Sequence, residues 1–224
     1  MRLKVFFFDV DGTITGPDKT AWDAIDDGLG VPTEKHMQIL KEYRTKEISA
    51  DDSISGIVKL WNSSGKATES NIKQILLAHQ NYRRGALSFI RLLIKNGYKV
   101  VLLSGTPDIF LNIVLKKLKG AESHTHTTLE FDNNGKLKWF QYPEDASKEK
   151  REFLLQYIKQ KGISLSECAV IGNGSNDVEI VKMVGFSAAP KDGSREAVLE
   201  NVDYVFDNYF GLRRKIESIV GILK

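Results

Sequence analysis

The stretch Val5–Gly16, VFFFDVDGTITG, sets four bulky apolar residues directly before two aspartates, Asp9 and Asp11. A continuous apolar run reads as a strand buried on both faces, the kind found in parallel sheets. In open α/β sheets, ligands lie beyond the carboxyl ends of the strands, and Asp9 and Asp11 occupy that end here. Other readings of the pair are weaker. Asp11-Gly12 suits a hairpin turn. A calcium loop needs further oxygen-bearing residues where Thr13 and Ile14 stand, and Ile14-Thr15-Gly16-Pro17 does not open a helix.

Outward from this strand, short apolar runs alternate with amphipathic stretches. The strands expected are Lys4–Phe8, Lys99–Leu103, Cys168–Gly172, Phe186–Ala189 and Asp203–Phe206. Helices are expected over ALSFIRLLIKNGY, PDIFLNIVLKKLKG, KREFLLQYIKQKG and NDVEIVKMVG, each closing near a glycine suited to a left-handed cap. The segment from about Asp18 to His79 differs, because helical faces recur with no strand between them. Trp22, Ile25 and Leu29 share one face, Ile54, Ile57, Val58 and Trp61 a second, and Ile72, Ile75 and Leu76 a third. The expected fold is α/β: a Rossmann-like parallel sheet with helices on both faces. A core of residues 1–15 and 82–224 would carry a small helical cap, residues 16–81, inserted after the first strand. TLEFDNNGKLKWF adds a hairpin signal around Asn-Asn-Gly.

The 224 residues are 42% hydrophobic, and 32 basic against 29 acidic residues give a formal charge of +3. Such near-balance disfavours a dedicated nucleic-acid or membrane binder, whose basic excess is larger and clustered. The one cysteine, Cys168, reads as a buried free thiol, and acids interrupt the N-terminal apolar run too soon for a signal peptide. A cytoplasmic protein is the expectation.

Two neighbouring carboxylates repel unless a cation or hydrogen bonds compensate, and Mg²⁺, a hard ion that takes oxygen ligands, suits them. Two further segments offer partners. VVLLSGTPD puts Ser104 and Gly105 at a strand-to-helix junction, either an anion site or an ordinary turn. AVIGNGSNDVEIV ends a strand in Asn173, Asn176 and Asp177, which could supply or orient oxygen ligands; Asp177 alone would suit a helix cap. His124 and His126 would share one face of a strand, with no third metal ligand apparent nearby. Trp22, Met37, Tyr43 and Trp61 read as cap core, with some free to line a pocket.

In order, DVDGT, a strand ending in Ser104, a lysine and GNGSND resemble the haloacid dehalogenase superfamily, and its phosphoserine phosphatase-like branch most of all. The resemblance implies Mg²⁺-dependent phosphate transfer from a small phosphorylated metabolite through an aspartyl-phosphate on Asp9. Asp11 would be the general acid and base. Ser104, Gly105 and Asn176 would hold phosphate or substrate, and Asp9, Asp11, Asn173 and Asp177 the metal. Matching the helix ending at Gly162 to the family pattern selects Lys150, with Lys148 as runner-up, to neutralise Asp9 and the phosphate.

Two positions depart from that pattern. Asn173 stands where the family carries a metal-binding aspartate, so a weakened or inactive phosphate-ligand binder is the alternative reading. The cap regions matching the family's substrate-binding glutamate and arginine read GPDKTAW and DSISGIVKLW, with Asp18 or Thr20 near the first and Ile57 near the second. An obvious carboxylate clamp is missing.

Overall fold

A computed structural model describes residues 2–224. Strand β1 (Val5–Phe8) lies at the centre of a six-stranded sheet, and all four of its residues are buried. Alternate side chains enter different cores, as strand geometry requires. Phe6 and Phe8 pack with Val100, Leu102, Ala169 and Ile171 on one face; Val5 and Phe7 pack with Val101, Leu103 and Val170 on the other. That is why the run is apolar without alternation.

The other strands are β2 (Lys99–Ser104), β3 (Glu122–Thr125), β6 (Cys168–Ile171), β7 (Phe186–Pro190) and β8 (Tyr204–Phe206). A separate antiparallel hairpin is formed by β4 (Leu129–Phe131) and β5 (Leu137–Phe140). Every neighbouring pair in the main sheet is parallel, in the order β3-β2-β1-β6-β7-β8. The direction of winding reverses between β1 and β6, so a crevice opens at their carboxyl ends. Phe8 lies opposite both Leu102 and Ile171, which brings the loops after β1, β2 and β6 to one edge.

Helices α5 (Ala86–Lys95), α6 (Asp108–Lys117) and α10 (Tyr209–Val220) contribute to one core, and α7 (Ala146–Lys161) and α8 (Val178–Val181) to the other. A short α9 (Glu196–Leu199) leads into β8. Two sequence expectations change here. The strand expected to carry both His124 and His126 is β3, but it ends at Thr125, so His126 lies beyond it; ESHT is polar because it forms a sheet edge. The stretch NDVEIVKMVG forms only a 3₁₀ turn at Ser175–Asp177 and the single-turn α8, since Asp177 is held in the site described below.

Four helices form the insertion: α1 (Ala21–Leu29), α2 (Thr33–Arg44), α3 (Ala50–Asn62) and α4 (Glu69–Ala78). Thr20, Ser49 and Thr68 accept N-terminal backbone N–H groups of α1, α3 and α4. Trp61 is fully buried at its centre. Its Nε1–H donates to Asp26 Oδ1 at 2.6 Å, and His36 Nδ1 lies 2.8 Å from Asp26 Oδ2. The chain leaves and rejoins the core side by side, through a bridge between Thr15 and Tyr82. The β4–β5 hairpin packs against this helical unit: Leu137 N–H donates to the Ala67 carbonyl, and Phe140 stacks on Trp61.

Candidate active site

The turn after β1 is built around one carbonyl. Val10 O accepts from the backbone N–H groups of Thr13, Ile14 and Thr15, which curls the chain and leaves Gly12 at φ +78°. Glycine is suited to that left-handed position. Arg83 fixes the curl from outside, donating through Nε and Nη2 to the Gly12 carbonyl, while Tyr209 O–H donates to the Thr13 carbonyl. No local sequence signal ties Arg83 or Tyr209 to this turn.

Asp9 is almost wholly buried. Its Oδ1 accepts from Lys150 Nζ at 2.8 Å, and the same ammonium donates to Asp177 Oδ1 at 2.7 Å. Lys150 rises from the first turns of α7 and has no solvent exposure. Lys148, two residues earlier, is exposed and faces Glu152. Asp177 Oδ2 accepts from the backbone N–H groups of Asn173 and Gly174, so both its oxygens are engaged. The loops after β1 and β6 are thereby joined through one buried ammonium.

Asp11 points toward the helical insertion, where its Oδ1 accepts the N–H of Ala21 at the start of α1. Ser104 is buried at the end of β2, with its Oγ accepting from Thr106 N–H. The Thr106 hydroxyl is buried without a protein partner. Gly105 lies beneath His126, whose Nε2 would be 3.0 Å from a Cβ at that position. Asn176 turns back along its own loop toward Gly174 and takes no part in the Lys150 network.

Asn173 sits beside the acids. One terminal atom of its carboxamide is 2.9 Å from the Asp11 carbonyl oxygen, 3.2 Å from Asp9 Oδ2 and 2.7 Å from Thr13 Oγ1. Thr13 is a contributor that sequence reasoning passed over. The two histidines separate: His124 stacks on Phe153 at 3.9 Å, and His126 approaches Tyr142 edge-on. Among the described residues, no group of three or more His, Cys, Asp or Glu side chains could hold a metal ion.

Burial pushes Asp9 up to about 6, with Lys150 opposing and Asp177 adding to the shift. Burial, then the nearby Asp9 charge, pushes Asp11 up to about 7. For Lys150, burial acts downward, but Asp177 and Asp9 outweigh it and hold the ammonium above its usual value.

A cavity of about 350 Å³ lies between the helical unit, the hairpin and the core edge. Trp22, Met37, Ile57, Phe140 and Tyr142 form apolar wall, while Thr20 and Arg195 join it to the site side. Thr20 precedes the N–H that binds Asp11, and Arg195 N–H donates to the Asn173 carbonyl. Met37, Tyr43 and Trp22 therefore face a cavity, while Trp61 is core.

The sheet order, its acid-bearing first strand and the helical insertion together define a capped Rossmann-like α/β protein. Residues 3–185 match the model of the haloacid dehalogenase-like hydrolases. The chain belongs to that family of hydrolases. It is 28% identical over 191 residues to a phosphoserine phosphatase of Methanocaldococcus jannaschii, covering 84% of this chain and 85% of that protein. A phosphoserine phosphatase of Albidiferax ferrireducens is 26% identical over 206 residues, covering 89% and 84% respectively. Among solved structures, a substrate-bound phosphoserine phosphatase complex superposes with a TM-score of 0.74 at 23% identity, covering 98% of this chain and 99% of that one. Among the described residues, no helix is long and apolar enough to cross a membrane.

Proposed function

We propose that this hydrolase is a Mg²⁺-dependent phosphomonoesterase acting on a small phosphorylated metabolite. The observation that carries this reading is the buried Asp9–Lys150–Asp177 network at the sheet's winding reversal, with Asp11 beside it. An Asp9 carboxylate oxygen attacks phosphorus as the ester P–O bond breaks, and Asp11 gives its proton to the departing alkoxide. Asp11 then takes a proton from water as that water attacks phosphorus. The P–O bond to Asp9 breaks, releasing inorganic phosphate and restoring the carboxylate. Lys150 orients Asp9 and offsets its charge, while Ser104, Gly105 and the partnerless Thr106 hydroxyl offer the phosphate polar contacts.

The residues present fit a hard cation. Asp9 Oδ2, the Asp11 carbonyl oxygen and the Asn173 carboxamide converge, with spacings of 2.9 and 3.2 Å from the amide atom. These three would hold Mg²⁺, which when bound supplies charge neutralisation between Asp9 and the phosphate. Asp177, with both oxygens engaged, serves as a positioning residue for Lys150 and the loop. The cavity sets apolar and aromatic wall beside Asp23, Arg44 and Arg195, which favours a phosphate ester whose organic group carries both apolar and charged or polar parts.

The test is phosphate release from p-nitrophenyl phosphate and a panel of metabolite esters with saturating Mg²⁺. Turnover should fall by at least about 10³-fold in Asp9→Asn, which removes the nucleophile. Failure of the unaltered chain to turn over any ester would refute the proposal. It would leave the second reading, a phosphate-ligand binder, which the amide at position 173 favours.

A further inference from the structure

The inner atom of the Asn173 carboxamide has a choice of chemistry. With oxygen inward, it accepts the Thr13 hydroxyl proton at 2.7 Å, and the outer amide nitrogen donates to the Gly193 carbonyl at 3.3 Å. That oxygen then faces the Asp11 carbonyl oxygen at 2.9 Å and Asp9 Oδ2 at 3.2 Å, with no proton available between them. A cation relieves this contact.

Turning the amide end for end relieves it another way. The NH₂ group then has Asp11 O, Asp9 Oδ2 and Thr13 Oγ1 as acceptors, at 2.9, 3.2 and 2.7 Å. The ends of a carboxamide are nearly identical in shape, so the turn requires little displacement of neighbours, at the cost of the long outer bond to the Gly193 carbonyl. Gly12 packs so closely on this side chain that a Cβ there would collide with it, which holds the amide in place. An ionised carboxylate has no corresponding second state, because both its ends are acceptors.

We infer that Asn173 is a two-position amide. With NH₂ inward it stands in for the cation and keeps the turn after β1 assembled in metal-free protein. With oxygen inward it ligates the divalent ion. The inference rests on the proposed cation seat, but it concerns the order and affinity of binding instead of turnover. Mg²⁺ must displace hydrogen bonds and meets one negative charge fewer than an aspartate would provide.

The experiment compares the unaltered chain with Asn173→Asp and Asn173→Ala. Thermal unfolding is measured in EDTA and in Mg²⁺, Mg²⁺ affinity by calorimetry, and the Asn173 side-chain NH₂ resonances by ¹H–¹⁵N spectroscopy. In EDTA, Asn173→Ala should lower Tm by about 2–4 °C and Asn173→Asp by more, as a lost hydrogen bond and an added repulsion require. Asn173→Asp should bind Mg²⁺ at least about tenfold more tightly, through the added charge. In the unaltered chain, the NH₂ resonances should move on Mg²⁺ saturation. Three results would each overturn the inference: equal stability of Asn173→Asp and the unaltered chain in EDTA, stationary NH₂ resonances while Mg²⁺ binds, or no Mg²⁺ binding by either. These readouts need no ester hydrolysis, so an inactive protein that passes them refutes the phosphatase reading alone.

Discussion

Replacing Lys150 with methionine deletes a buried charge while preserving much of the side-chain volume. The ammonium donates to Asp9 Oδ1 at 2.8 Å and Asp177 Oδ1 at 2.7 Å, and the residue has 0% exposure. Charge-assisted hydrogen bonds contribute about 1.5–3 kcal/mol each, and removing one partner of a buried ion pair costs about 3–5 kcal/mol. Methionine also spares the burial of an ammonium, so a loss of about 3–4 kcal/mol is expected. Asp9 and Asp177 are left facing one vacated point, and their repulsion should dominate that loss. Adding Asp177→Asn tests the cause. The new amide oxygen can keep the N–H groups of Asn173 and Gly174, while its NH₂ turns toward Asp9. The double variant should therefore recover about 1–2 kcal/mol relative to Lys150→Met, as coupled neighbours do. Urea unfolding in EDTA at pH 8, followed by tryptophan emission, measures all four proteins. A loss below about 1 kcal/mol for Lys150→Met, or simple additivity across the cycle, would refute the reasoning.

Asp26→Ala should destabilise the protein by about 2–4 kcal/mol, because Trp61 N–H and the buried His36 lose their acceptor; a loss under about 1 kcal/mol in urea unfolding would count against it. Burial, aided by the Lys150 and His124 charges, pushes His126 down to about 4. The unfolded chain binds a proton from about pH 6.5 downward that the folded chain refuses until about pH 4, so stability is lost on acidification through that window. Its contribution is about 2–3 kcal/mol, and His126→Gln should flatten the stability profile between those pH values; parallel profiles for the two proteins would refute this. Burial, with the adjacent Glu167 charge, pushes the Cys168 thiol up to about 12, and its Sγ–H donates to the Ser164 carbonyl. A disulfide reagent at pH 8 should label Cys168 only after unfolding in urea; rapid stoichiometric labelling of folded protein would overturn that expectation.

The central strands were legible because burial on both faces forces the same apolar code on every residue. VFFF, KVVLL and CAVI each show it, and each lies in register with the others. The helical insertion was legible through periodicity, and Ile54, Ile57, Val58 and Trp61 are buried together in α3. Polar edge structure was legible only in part, as a strand around His124 without its bounds. Strand β3 has no apolar face to mark its ends, and its pairing with β2 supplies what composition does not. The residues that support the site were hidden. Thr13, Arg83 and Tyr209 act through groups that lie 160, 71 and 196 positions away in the chain, so no local spacing links them. The hairpin's turn was visible in Asn-Asn-Gly, but its packing partner was not, since Phe140 meets Trp61 only through the tertiary fold.

Asp9 occupies its place for two separable reasons. The apolar register of β1 delivers it to the winding reversal, and Lys150 then compensates a carboxylate that burial would otherwise leave protonated. That compensation is shared. One ammonium serves Asp9 and Asp177 while Asp11 adds a third acidic group nearby, so the cluster has a shortage of positive charge when all three are ionised. On the proposed reading, a phosphate ester approaching Asp9 deepens that shortage, and a divalent ion relieves it. Cation and ester should therefore favour each other's binding, because each lowers the electrostatic cost of the other. An aspartate at position 173 would hold the cation before the ester arrives. On the same reading, Asn173, neutral and able to offer either end of its amide, would shift more of the cation's hold onto the phosphate itself. On the proposed reading, the departure from the family pattern at Asn173 would change the order of binding without moving Asp9, the proposed nucleophile.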